Sequence, residues 1–165
     1  DGGFENEYVQ SLRKALKGNK GNYDCAPHSN NKLGSATGKL IGGNLALLAH
    51  VIGTPSDYNT KNCILFIEDI GEYLYNTDRM LYQLKGSGKL DQICGLIFGN
   101  FNDMKDTDRP FGKTIDEILQ EISSDLNIPV CFQFPVGHTK ENVALKPGVT
   151  YNLVVGIKKV SLKEL

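Results

Sequence analysis

Residues 62–71, Asn-Cys-Ile-Leu-Phe-Ile-Glu-Asp-Ile-Gly, constrain this chain more than any other stretch. Apolar residues run without alternation from Cys63 to Ile67 and stop at two acids, Glu68 and Asp69, with Gly71 just beyond. A buried strand delivers a carboxylate to the edge of a sheet in this way. A second apolar run, Val130-Cys-Phe-Gln-Phe134, is broken by Pro135 and Gly137, which place His138 on the loop that follows. Loops at strand ends are where α/β folds carry their chemistry. A strand-end acid and a loop histidine make two parts of an acid–histidine–nucleophile device. The third part is missing: there is no G-x-S-x-G turn, and the serines lie in helices, polar loops or the tail.

The rest of the chain predicts an α/β domain with a mixed, partly parallel sheet and flanking helices. Residues 5–17 read as a helix with Tyr8, Leu12, Ala15 and Leu16 on one face and Gly18 as its stop, and residues 18–34 read as a polar loop or linker. A short strand over 36–41 leads into Gly42-Gly43-Asn44, where Asn44 caps a helix over 45–52. A helix over 77–85, capped by Asn76 or Thr77, presents Met80, Leu81 and Leu84. A strand over 93–98 precedes a helix over 111–126, and strands at 130–134, 149–155 and 157–162 complete the chain.

With 165 residues, 40% of them hydrophobic, the chain is long enough for one well-buried core. A formal charge of −1, with Lys158-Lys159 the nearest thing to a basic cluster, argues against a nucleic-acid partner. No apolar stretch approaches the roughly 20 residues that span a bilayer, so no membrane association is expected. The chain starts at Asp1 without Met and reads like an interior segment. Cys25, Cys63, Cys94 and Cys131 form no close pair, which speaks against zinc and for a reduced, cytoplasmic setting. Neither Gly34-Ser-Ala-Thr-Gly38-Lys39 nor Gly86-Ser-Gly-Lys89 makes a phosphate loop: the first is one residue short, and the second follows a helix where the cradle must precede one. His28 is expected to be solvated in its linker, and His50 to be a packed, hydrogen-bonded helix residue.

Several strings together resemble the C-terminal domain of the LD-carboxypeptidases. They are Gly38-Lys-Leu-Ile-Gly-Gly-Asn-Leu45, Gly53-Thr-Pro55, Ile64-Leu-Phe-Ile-Glu-Asp-Ile-Gly-Glu72, Thr77-Asp-Arg-Met-Leu-Tyr-Gln-Leu84, Gly95-Leu-Ile-Phe-Gly-Asn-Phe101 and Ile128-Pro-Val130 through Gly137-His138. The match covers about residues 33–160, with residues 1–32 a helix and linker from the interdomain region. The resemblance implies a swivelling-domain-like fold and a serine peptidase whose N-terminal domain, absent here, carries the nucleophile and oxyanion hole. Glu68 and His138 would then be the glutamate and histidine of a Ser-His-Glu triad that needs neither cofactor nor metal.

The implied activity is release of terminal D-alanine from murein tetrapeptides in peptidoglycan recycling. The implied partners are the N-terminal nucleophile domain and the murein peptide, with a homodimer expected on the resemblance alone. Asn44 and Glu72 match motif positions near the substrate. Asn100 stands where many relatives have an acid, and Asp103 is the carboxylate that compensates. The isolated chain would be inactive, and Glu68 and His138 would be more accessible in it than in the whole enzyme. The alternatives are a microcin C-type immunity hydrolase, against which the absence of Trp counts mildly, and a non-catalytic binding or dimerisation domain.

Overall fold

The computed structural model describes residues 5–165. In chain order the elements are α1 (Glu7–Leu16), β1 (Asn22–Cys25), β2 (Gly34–Asn44), α2 (Leu45–His50), β3 (Cys63–Ile70), α3 (Leu74–Gly86), β4 (Gly95–Asn102), α4 (Ile115–Ser123), β5 (Val130–Cys131), β6 (Thr150–Val155) and β7 (Val160–Glu164). The strands form one seven-stranded sheet in the order β1-β7-β6-β2-β3-β4-β5. From β2 to β5 the neighbours are parallel, and each crossover carries one helix. From β1 to β2 they are antiparallel. The sheet is mixed, as the alternation of strands and helices predicts.

The absence of alternation in β3 follows from its position between two cores. Leu65 and Ile67 pack with Leu45 of α2, Met80, Leu81 and Leu84 of α3, and Ile118, Leu119 and Ile122 of α4. Ile64 and Phe66, on the other face, pack with Leu40, Ile97, Tyr151, Leu153 and Leu162. Both faces are covered, so every position of β3 from Cys63 to Asp69 is buried. Each large side chain withdrawn from water here contributes about 1.5–3 kcal/mol before entropy is counted.

The second core closes because the sheet curls. Cys25 on β1 and Cys131 on β5, at opposite ends of the strand order, meet in this core. That contact and burial push the Cys131 thiol far up from its ordinary range. Lys32 and Val130 exchange backbone hydrogen bonds of 3.0 and 3.1 Å across the same seam. The stretch 18–34 is therefore not all loop. Its β1 segment completes the sheet by pairing with β7, 135 residues away at Cys25↔Val160.

Other expectations change for local reasons. β2 does not stop at Ile41 but runs through Gly42 and Gly43 to Asn44, paired parallel with β3 from Lys39 onward. α3 starts at Leu74, ahead of either expected cap, because its first N–H donates to the Lys105 carbonyl at 2.9 Å. α4 is shorter than expected: Gly112 at φ +88° breaks the chain, and Thr114 and Glu117 form a capping box. β5 ends at Cys131, with Gln133 in the left-handed region at φ 53°. In α1, Tyr8 and Ala15 are half-buried, whereas Leu12 and Leu16 lie exposed. Ile157, expected in a strand, sits exposed in the β6–β7 turn. No helix among the described residues is long and apolar enough to cross a membrane.

Candidate active site

Glu68 sits at a break in the pairing of β3 with β4. The register runs Ile67↔Phe98 and then Asp69↔Phe101, so Glu68 alone faces both Gly99 and Asn100. The bulge re-aims the strand at this point, as bulges beside functional groups do. It also lets β4 meet the chain that carries His138: Asn100 N donates to the Val136 carbonyl at 2.9 Å.

Two glycines make room for the carboxylate. A β-carbon on Gly99 would meet the Val136 carbonyl oxygen at 2.5 Å and the Glu68 β-carbon at 3.1 Å. One on Gly137 would stand 2.8 Å from Glu68 Oε2, and Gly137 has φ +116°, which side chains disfavour. His138 follows directly, and its Nδ1 is 2.8 Å from Glu68 Oε2. The Glu68 side chain is 8% exposed and that of His138 53% exposed. Glu68 is thus held inside the fold with the imidazole as its outer cover. An ionised carboxylate only accepts hydrogen bonds, so Nδ1 carries the proton of this pair and Nε2 is left as a base.

Asn44 is the β2 residue paired in register with Glu68. Its side chain is engaged at both ends: Oδ1 accepts from Leu47 N at 3.2 Å as the cap of α2, and Nδ2 donates to Asp69 Oδ1 at 2.8 Å. Asp69, 2% exposed, also accepts from Ile70 N at 2.8 Å and from Ala46 N at 3.1 Å. Asp69 therefore serves the start of α2 and holds Asn44 in place.

Glu72 lies past the bend after β3, half-buried, and its Oε2 accepts from Asn76 Nδ2 at 2.6 Å. Asp103 is exposed and left-handed at φ 52°. Asn100 turns its amide to the carbonyls of Phe134 and Val136, both at 3.4 Å, where a carboxylate would face two acceptors.

The other histidines are apart from this pair. His28 is not simply solvated, since it stacks on Phe132 at 5.6 Å between ring centroids. His50 is exposed rather than packed, and its Nδ1 lies 2.5 Å from the Ala46 carbonyl. The four cysteines are free thiols. Among the described residues no group of three or more His, Cys, Asp or Glu is arranged to hold a metal ion.

Residues 37–153 match the family model of the LD-carboxypeptidase C-terminal domain. The chain belongs to the LD-carboxypeptidase family. Among its relatives, the probable murein peptide carboxypeptidase of Bacillus subtilis is 36% identical over 115 residues, 70% of this chain and 36% of the relative. The murein tetrapeptide carboxypeptidase of Pseudomonas aeruginosa is 32% identical over 114 residues, 68% of this chain and 36% of its own.

The crystal structure of muramoyltetrapeptide carboxypeptidase from Oxalobacter formigenes superposes with a TM-score of 0.85 at 33% identity, covering 94% of this chain and 54% of that one. The microcin C7 self-immunity protein MccF superposes at 0.70 and 27% identity, over 82% and 40%. The LD-carboxypeptidase family thus takes in carboxypeptidases that act on murein peptides and an immunity protein. This chain spans about a third of the length of the two curated relatives just described.

Proposed function

We propose that this chain is the C-terminal domain of a serine LD-carboxypeptidase that releases terminal D-alanine from murein tetrapeptides, and that Glu68 and His138 are its two members of a Ser-His-Glu triad. The 2.8 Å contact between a buried Glu68 carboxylate and a half-exposed His138 carries the reading. In the reaction, His138 Nε2 takes the proton of a serine hydroxyl supplied by an N-terminal nucleophile domain. Glu68 fixes the tautomer and stabilises the imidazolium that forms. The serine oxygen bonds the carbonyl carbon ahead of the D-alanine, and the C–N bond breaks as His138 gives its proton to the departing D-alanine amine. Water, deprotonated by His138, then hydrolyses the acyl-enzyme and the serine regains its proton.

Asn44, Glu72 and Asp103 are assigned to the substrate. Asn44 stands beside Glu68 on the neighbouring strand, and Glu72 and Asp103 follow the two strands that bracket the bulge. The enzyme would work in the cytoplasm, on peptides recovered from the wall. The higher identity and TM-score of the murein enzyme from Oxalobacter formigenes favour this substrate over an acylated toxin. The test is D-alanine release from a murein tetrapeptide by this chain and by a longer protein that includes the upstream domain. Activity confined to the longer protein and lost on His138→Ala is the expected result. Equal activity in the His138→Ala variant would end the assignment.

A further inference from the structure

His138 poses a mechanical problem for the function proposed above. Its imidazole is half-exposed, it belongs to no strand or helix, and it follows a glycine in a left-handed conformation. One hydrogen bond to Glu68 orients the ring, but a ring on a loose backbone would wander from it. A misplacement of about 1 Å in a reacting group costs on the order of a hundredfold in rate. The backbone of His138 must therefore be held, and the structure shows what holds it.

Asn102 is the last residue of β4, paired with Ile70 of β3. Its side-chain Nδ2 donates to the main-chain carbonyl of His138 at 2.6 Å. Its own main-chain carbonyl accepts from Gly71 N at 2.9 Å, three residues past Glu68. One residue is thus tied to the turn after the Glu68 strand through its backbone and to the His138 loop through its side chain. On the other side of His138, Gly137 N donates to Asn142 Oδ1 at 3.2 Å, and Thr139 N donates to the Gly137 carbonyl at 3.0 Å. The Asn142 contact is local to the loop. The Asn102 contact reaches across 36 residues and, among the described residues, is the one hydrogen bond that ties the main chain of His138, rather than its ring, to the sheet.

We infer that Asn102 is a positioning residue for catalysis: its amide fixes the backbone of His138 so that Nδ1 meets Glu68 and Nε2 points outward in one tautomer. Asn102 touches neither substrate nor the reacting nitrogen. Its side chain must donate, because the group it meets is a carbonyl oxygen. Aspartate, of the same size, offers only acceptors and would repel that oxygen.

The experiment uses Asn102→Asp, which preserves shape and the backbone bond to Gly71, together with Asn102→Ala. The first readout is the ring ¹⁵N spectrum of His138 in this chain, at a pH where the ring is neutral. The wild-type chain is expected to show a protonated Nδ1 and a bare Nε2. Both variants are expected to move toward the mixed pattern of a mobile imidazole, with faster solvent exchange of the Nδ1 proton.

In the longer protein, kcat is expected to fall roughly ten- to a hundredfold with KM little changed. Asn102→Gln, which keeps the donor, should recover part of that loss. Unaltered ring nitrogens in Asn102→Asp would overturn the inference, as would an altered ring with unchanged kcat. If the unmodified longer protein releases no D-alanine, the proposed function fails instead, and the spectrum still decides whether Asn102 holds His138.

Discussion

The two halves of the Glu68–His138 pair are built in opposite ways. Glu68 is delivered by β3, the strand most deeply enclosed in the fold, with cores on both faces and parallel neighbours on both edges. His138 is delivered by a loop that owes its shape to glycines, to the side chain of Asn142 within the loop and to the side-chain amide of Asn102 from the sheet. A carboxylate that only has to stay in place is built into the core. The imidazole, which in the proposed reaction exchanges protons with other molecules, is left half in water. The difference teaches that the two arms fail differently: damage to the strand costs folding, and damage to the loop costs geometry.

That contrast can be broken most forcefully in the strand. Ile67→Ala removes a side chain with no exposure directly before Glu68, and is expected to cost about 2–5 kcal/mol in chemical denaturation. A loss below about 1 kcal/mol would mean that β3 is not the rigid arm. Gly137→Ala tests the junction, where the new methyl would press on Glu68 Oε2 from a left-handed backbone. It should cost about 1–3 kcal/mol and separate the two side chains; a crystal structure of the variant with the 2.8 Å contact intact would refute this. His138→Ala should cost about 1 kcal/mol, since the buried Glu68 carboxylate loses its hydrogen-bond donor while water can enter where the half-exposed ring stood. A larger loss would show that the loop supports the fold as well as the chemistry.

The smallest effect concerns pH. Tyr23 is pushed up from 10.0 to about 12, first by burial and then by Tyr151 and Glu164. Its hydroxyl donates to the Ala144 carbonyl at 2.7 Å, at the far end of the His138 loop. A raised phenol favours the folded state fully below the unfolded value near 10, and this contribution disappears as pH rises through about 12. Tyr23→Phe should flatten that alkaline loss. An unchanged pH–stability curve in the variant would show that the phenol contributes nothing to it.

Much of this arrangement is legible in the order of residues. The unbroken apolar run before Glu68 announces a strand covered on both faces, because only such a strand can afford no polar side. The breaks at Pro135 and Gly137 announce a loop at the end of a buried strand, and Asn44 before an apolar run announces a helix cap. Each of these signals is local: the neighbours in sequence carry the physical cause.

What the sequence could not disclose depends on residues far apart in the chain. β1 pairs with a strand about 135 residues away, so its own polar composition reads as loop. The start of α3 is satisfied by Lys105, not by a side chain in its own segment. Asp69 serves a helix that begins 24 residues earlier, and Asn102 meets His138 only because the β4 bulge brings that strand end to the loop. By itself, the sequence determined the strand, the loop, and the acid and histidine they carry. Only the tertiary structure decided that the two meet at 2.8 Å and what holds them there, because hydrogen bonds between distant segments leave no periodicity in the residues that make them.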